Sequence, residues 1–262
     1  MTALSLQWPA AWSRQQRSTA TIVVAAGVLV LLLWLMSIPL AWAPEPIGEN
    51  ARAFAEGTRV TVQLTLVAGV AGIAIGVLAA LGKLSRIAPL RWLASLYIWV
   101  VRGTPLLVQV LFVFFALPVM VPGLQLSDFA SACVALAFNV GAYNAEAIRS
   151  GMLAVPRGQG EAARSLGLSP WHTFIDVSFP QAFKVALAPL VNNSVALLKD
   201  SSLAYAIGVV ELTNVGNRIQ ASSFQPVPTL VTVAVLYLAL TTVMTQISSA
   251  IERHFDVEGR QP

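Results

Sequence analysis

Apolar residues run almost unbroken through six stretches of the chain, near residues 20–38, 59–81, 92–117, 129–148, 185–204 and 229–251. At 1.5 Å of rise per residue, about 20 helical residues traverse about 30 Å of hydrocarbon, so the pattern predicts six spanning helices and an all-α polytopic fold. Between residues 151 and 184 the hydrophobicity falls, and the signals there are those of two short helices. Glu161 opens a run of helix formers that ends at Gly167, after which Ser169 supplies an N-cap and Pro170 suits the first helical position. The second helix is predicted to run through Val177 and to stop at Pro180. Hinged at Gly167 and held between two spans, the pair forms a knob suited to docking in a partner's groove; a simple loop is the competing reading.

Two spans carry irregularities. Gly69, Gly72 and Gly76 with Ala68, Ala79 and Ala80 make a small-residue stripe that permits close approach of another helix. The third stretch contains Arg102-Gly103-Thr104-Pro105, where Pro105 removes a backbone donor and Arg102 brings a charge to membrane depth. Residues 92–101 are therefore expected to lie partly along the interface, with Trp92, Tyr97 and Trp99 at headgroup level and Arg102 snorkelling. Between the last two spans, residues 207–225 are long for a plain connection and include Gly208, Glu211 and Asn214-Val215-Gly216-Asn217. An ordered external or re-entrant segment is expected there, or a folded turn over the helix ends.

Charge sets the orientation. Lys and Arg in short loops favour the cytoplasm. Arg14 and Arg17, then Lys83, Arg86 and Arg91, then Arg149, Arg157, Arg164 and Lys184, and finally Arg253 and Arg260 occupy alternate connections, which all fit one side. The other side holds Arg52, Arg59 and Arg218, offset by Glu45, Glu49, Glu56, Asp128 and Glu211. Both termini are expected to be cytoplasmic. The first stretch has a rival reading as a signal peptide, with Ala41-Trp42-Ala43 as a small-residue cleavage site. Against it, the apolar run exceeds the usual 7 to 15 residues and Pro44 would follow the scissile bond.

Composition removes whole classes. Of 262 residues, 56% are hydrophobic and 11% charged, against roughly a quarter charged in soluble domains, so a soluble enzyme is excluded. A net charge of +4 is too weak a bias for a nucleic-acid binder, which would gather basic charge on one face. A single cysteine, Cys133, and two histidines, His172 and His254, leave no material for a disulfide framework or a metal site. No nucleophile-base motif or HExxH pair points to a membrane-embedded enzyme.

Ionisable groups at bilayer depth are costly and usually face a cavity or another protein surface. Lys199 and Asp200 in the fifth stretch lie near Asn192, Asn193 and Ser194. At 3.6 residues per turn Asn192, Asn193 and Asp200 share a broad face, with Lys199 displaced to its side. A zwitterionic amino acid needs an acceptor for its ammonium group and a donor for its carboxylate, which Asp200 and the asparagines offer; mutual satisfaction of Lys199 and Asp200 is the plainer alternative. On the fourth stretch Asn139 and Tyr143 share a face at four-residue spacing, a pattern that interhelical hydrogen bonds explain equally well. Asn139, Tyr143, Asn144 and Glu146 are all weaker candidates than the fifth-stretch residues, and Glu146 is placed to pair with Arg149.

The motif Glu161-Ala162-Ala163, three residues, Gly167, nine residues, Val177-Ser178-Phe179-Pro180 resembles the Glu-Ala-Ala loop of permease subunits of bacterial ATP-binding-cassette (ABC) importers. That pattern ends Ile-x-Leu-Pro, so Val177 and Phe179 depart from it conservatively. Arg102-Gly103-Thr104-Pro105-Leu106-Leu107-Val108-Gln109 and Leu198-Lys199-Asp200-Ser201-Ser202-Leu203 further resemble the polar amino acid branch of those permeases, and the resemblance covers roughly residues 57–255.

The resemblance implies a five-helix permease core (MetI-like) at residues 59–255, with the coupling loop at 151–184. Residues 1–58 then hold one additional N-terminal transmembrane helix and a linker, and 256–262 a cytoplasmic tail. It implies a non-catalytic, multi-pass subunit of the bacterial inner membrane that pairs with a second permease subunit, identical or paralogous. Cytoplasmic ABC ATPase subunits would bind the ATP and magnesium, with no cofactor in this chain, and a periplasmic binding protein would deliver a polar amino acid. Glu161, Ala162, Ala163, Arg164 and Gly167 become candidates for coupling to the ATPase, with Ala162 and Ala163 permitting close approach to it. Asn139, Tyr143, Asn192, Asn193, Lys199 and Asp200 become candidates for the substrate path. The chain itself has no phosphate-binding loop, since Gly82-Lys83 is followed by Leu84 and lacks the upstream glycine. A secondary transporter would need no separate ATPase but would show an inverted repeat, which is absent; a non-transporting scaffold or sensor is the other alternative.

Overall fold

A computed structural model describes residues 12–255, so Arg260 and the tail 256–262 lie outside the described residues. Ten helices carry the described residues. The first, α1 (Arg14–Leu35), starts at a capping box in which Ser13 Oγ accepts from Gln16 N–H and Gln16 Oε1 accepts from Ser13 N–H, leaving two fewer orphan donors. A short α2 (Ser37–Leu40) precedes α3 (Ala51–Leu84). At 34 residues α3 exceeds the hydrocarbon thickness by well over a third, and it begins eight residues before the expected span. Arg52 and Glu56 interrupt the apolar pattern there. The helix nevertheless continues, because Phe54, Ala55 and Thr58 are buried.

The third stretch folds as α4 (Ala88–Gly103) and α5 (Leu106–Met120), bent by 111° at the Thr104-Pro105 break. Thr104 is extended, as a residue before proline prefers. Next come α6 (Asp128–Ala154), capped by Ser127 Oγ, and α7 (Arg157–Ser165). The long α8 (Pro170–Ile207) follows, then α9 (Leu212–Ser223) and α10 (Pro226–His254). Among the described residues four helices are long and apolar enough to cross a membrane, five if the bent pair is one span. The sixth expected span is α6, which fails that test because Asn139, Asn144, Glu146 and Arg149 dilute its apolar character. It is instead the most enclosed helix, with about half its residues buried against α3 and α8, so its neighbours rather than its composition keep it from lipid.

The glycine stripe on α3 makes this enclosure possible. A Cβ at Gly72 would lie within 2.3 Å of Val140 Cγ1, and one at Gly76 within 2.6 Å of Asn144 Cβ; only hydrogen side chains let α3 and α6 approach this closely. The helix α1 packs along α10, where Leu29, Leu32 and Leu33 meet Val62, Leu198, Leu240 and Met244. Arg59, one of the few cations on its side, donates to the Leu33 carbonyl at 2.9 Å and lies over the Trp34 ring.

One end of the bundle gathers the ends of five helices. Lys83 Nζ at the end of α3 meets Glu146 near the end of α6 at 3.0 Å, and Phe183 early in α8 stacks edge-on against Phe255, just after α10. Ser18 Oγ early in α1 contacts His254 Nδ1 at 3.1 Å. Glu146 also accepts from Arg149, the expected pairing, while its bond to Lys83 ties two helices. The knob projects from this same end.

Candidate functional site

The knob is built by local rules. Its first helix, α7, starts at Arg157, a full turn before Glu161, so Glu161 lies in the second turn rather than opening the first. Gly167 adopts φ +86°, with Leu168 N–H bonded to Ala163 O and Gly167 N–H to Arg164 O. This is a Schellman closure, which needs a left-handed residue at that position. Ser169 Oγ then caps the next helix by accepting from His172 N–H.

The expected stop at Pro180 does not occur. Residues Thr173–Ser178 form a π turn, in which Phe179 N–H reaches back to Phe174 O, and the following helix runs on from Phe179–Pro180 to Asp200. The wider turn resets the hydrogen-bond register, so the donor missing from Pro180 falls at a junction instead of breaking a ladder.

Ala163 is buried inside the knob, near the π turn where Thr173 is also buried. It therefore packs the two short helices together, while Ala162 is exposed. Glu161, Ala162, Arg164 and Gly167 are exposed. So are Leu166 at 82% and Trp171 at 67%, apolar side chains that sequence reading passed over. Rings then follow one another from Trp171 through Phe174, Phe179 and Phe183 to Phe255, with centroids 5.3–6.3 Å apart.

About halfway along the bundle a cavity of about 450 Å³ opens between α5, α6 and α8. Asn139 and Tyr143 come from α6, Asn193 and Asp200 from α8, and Thr104 and Pro105 from the break before α5. Four of the six candidate path residues thus share one wall. Asn192 and Lys199 are exposed and outside that lining, which divides the face drawn on the helical wheel. Among the described residues no ion pair joins Lys199 to Asp200. Asn193 Nδ2 donates to Asn144 Oδ1 at 2.9 Å, fixing α8 against α6.

Gln109 is the residue that sequence reading missed here. Its Nε2 donates to Val101 O at 2.7 Å and is also within reach of Thr104 O and Oγ1, while its Oε1 accepts from Asn139 Nδ2. The break at Pro105 frees carbonyls that lipid cannot satisfy. Gln109, four residues past the proline, satisfies them and holds a cavity residue in place, a role the spacing Pro-x-x-x-Gln signals only once the bend is known.

A second polar centre lies away from the cavity. Glu211, fully buried, caps α9 by accepting from Thr213 and Asn214 N–H at 2.8 Å each, and also accepts from Tyr237 Oη of α10 at 2.9 Å. Leu212 N–H donates to Thr61 Oγ1 of α3. Within 207–225 the chain thus forms an ordered helix, α9, clamped between α3 and α10, in place of a folded turn over the helix ends.

Among the described residues no cluster of metal-ligating side chains is present.

Residues 72–257 match the family of binding-protein-dependent transport system inner membrane components. The chain is 36% identical over 201 residues to the L-cystine transport system permease protein TcyB of Bacillus subtilis, covering 76% of this chain and 85% of that one. It is 37% identical over 202 residues to the glutamine transport system permease protein GlnP of Escherichia coli K12, covering 77% and 92%. A solved amino acid ABC transporter with histidines superposes with a TM-score of 0.73 at 37% identity, over 78% of this chain and 95% of that one. The MetNI methionine ABC transporter, at 21% identity, shares the fold with a TM-score of 0.63, over 81% and 99%. A knob with its motif, a helix bent at an Arg-Gly-Thr-Pro sequence and a small-residue seam between α3 and α6 are thus joined by extended likeness in sequence and structure: the chain belongs to the inner membrane components of binding-protein-dependent transport systems, the permease subunits of ABC importers.

Proposed function

We propose that this subunit moves a polar amino acid from periplasm to cytoplasm by alternating access, driven by ATPase subunits docked on the knob. The knob end is then cytoplasmic, with both termini on that side, and a periplasmic binding protein delivers its cargo at the other end to a dimer of permease subunits. The observation that carries this reading is α8: one helix supplies Trp171 and Phe174 to the knob and Asn193 and Asp200 to the cavity. From Trp171 to Asp200 it spans about 43 Å at 1.5 Å per residue. Force applied at the knob reaches the cavity wall through that rod, and the ring series to Phe255 carries it to α10 as well. Exposed Ala162, Leu166 and Trp171 offer an apolar docking face, with Glu161 and Arg164 at its edge; exposed ion pairs there contribute only about 0 to 1 kcal/mol each.

In the cavity Asp200 accepts from an ammonium group, and the amides and hydroxyls of Asn139, Asn193, Thr104 and Tyr143 suit polar side-chain atoms. The lining has no second carboxylate, which favours a neutral or acidic polar amino acid over a dicationic one. Relatives named for cystine and glutamine transport support the amino-acid class.

The test is uptake into vesicles reconstituted with the permease, with and without its ATPase, ATP and binding protein, using labelled polar amino acids. Accumulation that requires all three supports the proposal. Accumulation without ATPase would make the chain a secondary transporter, and none under any condition a scaffold.

A further inference from the structure

A single aromatic ring is shared by two cavities. Tyr143 lines the polar cavity and also a second one of about 430 Å³, whose wall includes Lys83, Ser95, Trp99 and Arg102. Along α6 the order Asn139, Tyr143, Glu146 runs toward the knob, and Lys83 is bonded to Glu146, so the second cavity lies on the knob side of the first. Between them the Arg102 guanidinium lies 5.1 Å from the centroid of the Tyr143 ring, a cation–π contact. Arg102 is exposed, and its guanidinium is turned onto the Tyr143 ring at the wall of the second cavity.

We propose that Arg102 seated on Tyr143 is the gate between the amino-acid cavity and the vestibule at the knob end. The proposal rests on the transport reading above. Arg102 is the penultimate residue of α4, followed by Gly103 and the 111° break, so a small change in bend angle moves the guanidinium without unwinding either helix. Nothing lies within 4 Å of where a Cβ on Gly103 would stand, which leaves the hinge room to move. The C-terminal end of α4 also carries the negative end of the helix dipole, which favours a cation when it leaves the ring.

The chemistry of the gate selects its cargo. A carboxylate arriving in the cavity competes with the Tyr143 π face for the guanidinium, because a charge-assisted bidentate pair outweighs a cation–π contact. The cargo's own carboxylate draws Arg102 away, and Lys83 offers the next cation along the exit. An amino acid amide, lacking that carboxylate, leaves the gate shut.

The experiment uses the complete reconstituted transporter, preloaded with a labelled amino acid that the wild type accumulates. ATP-independent efflux and ATP-driven uptake are measured for Arg102→Gln, Arg102→Lys, and the pair Tyr143→Phe and Tyr143→Leu. Arg102→Gln and Tyr143→Leu should each raise efflux about 2- to 30-fold, the range a lost cation–π contact allows. In efflux alone, Arg102→Lys and Tyr143→Phe, which keep a cation and a π face, should stay close to wild type, while uptake falls in both because the bidentate guanidinium or the cavity hydroxyl is gone; Arg102→Gln with Tyr143→Leu should leak no more than the worse single variant. A role limited to folding would lower uptake without raising efflux and would show no rescue by Arg102→Lys. Efflux unchanged in Arg102→Gln in a complex that still accumulates substrate overturns the gate alone. A wild type that never accumulates an amino acid overturns the transport reading beneath it.

Discussion

The seam between α3 and α6 yields a prediction with its control built into one helix. Gly69, Gly72 and Gly76 belong to the same stripe, but a methyl group meets different surroundings at each. At Gly69 the nearest atom, Leu197 Cδ2, would be 3.5 Å away, ordinary contact. At Gly72 it would be 2.3 Å from Val140 Cγ1 and 3.2 Å from Ala137 O, so the helices are about 1 Å too close for any side chain. At Gly76 Asn144 Cβ would be 2.6 Å away, with backbone atoms of Gly141 and Ala145 just beyond. Replacing Gly by Ala in a helix gains about 0.5–1 kcal/mol from propensity, while overpacking costs about 1–3 kcal/mol. Gly69→Ala should therefore be neutral or slightly stabilising. Gly72→Ala and Gly76→Ala should each lose about 1–2 kcal/mol, a fall of about 2–8 °C in the thermal midpoint. Because the closest atom at Gly72 is a side-chain methyl, Val140→Ala in the same chain should restore part of the loss. At Gly76 the obstruction is a Cβ and backbone, and no such rescue is expected from truncating Asn144 to Ala. Thermal denaturation of the detergent-purified transporter reads all five variants. Equal midpoints for Gly69→Ala and Gly72→Ala would refute the close-approach argument.

Further consequences concern the break, the clamp and the knob. Gln109→Leu removes the donor to the carbonyls of Val101 and Thr104 and should both lower the thermal midpoint and weaken uptake through the loss of Asn139's partner; Gln109→Glu, which lacks the Nε2 donor but keeps an oxygen for Asn139, should restore part of the uptake without restoring the midpoint. Glu211→Ala removes a cap worth about 0.5–2 kcal/mol as well as the Tyr237 bond. Its loss of stability combined with Tyr237→Phe should fall short of additive, as denaturation of the double variant will test. Gly167→Val, forced toward φ near +86°, costs about 1–2 kcal/mol locally. It should abolish ATP-driven uptake while membrane insertion, read by cell fractionation, is intact, whereas Gly167→Asn should retain more uptake; unimpaired uptake in the valine variant would sink the coupling role of the knob. Lys83→Met leaves Glu146, in a pair about a quarter exposed, with Arg149 as its remaining cation and should lower the thermal midpoint.

The order of residues alone establishes the membrane class, the location of most spans, the irregularity at Pro105 and the signals for two short helices between spans. Each is written in local signals: apolar length against bilayer thickness, a proline without a donor, a glycine that can enter the left-handed region, a serine before a proline. The tertiary structure decided what those signals leave open. Hydropathy placed the start of α3 too late because Phe54, Ala55 and Thr58 are held by partners distant in sequence, and it gave no reason for α6 to tolerate so many polar residues until its enclosure between α3 and α8 was seen. Pro180 reads as a stop because its effect depends on the register of the preceding turn, which the π turn shifts. A helical wheel put Asn192 beside Asn193, but a cavity wall is formed by neighbours on other helices, and they chose Asn139, Tyr143, Asn193 and Asp200. Gln109, Glu211 and the seating of Arg102 on Tyr143 had the same cause for escaping notice: each acts on groups that only folding brings within hydrogen-bond or ring-contact range.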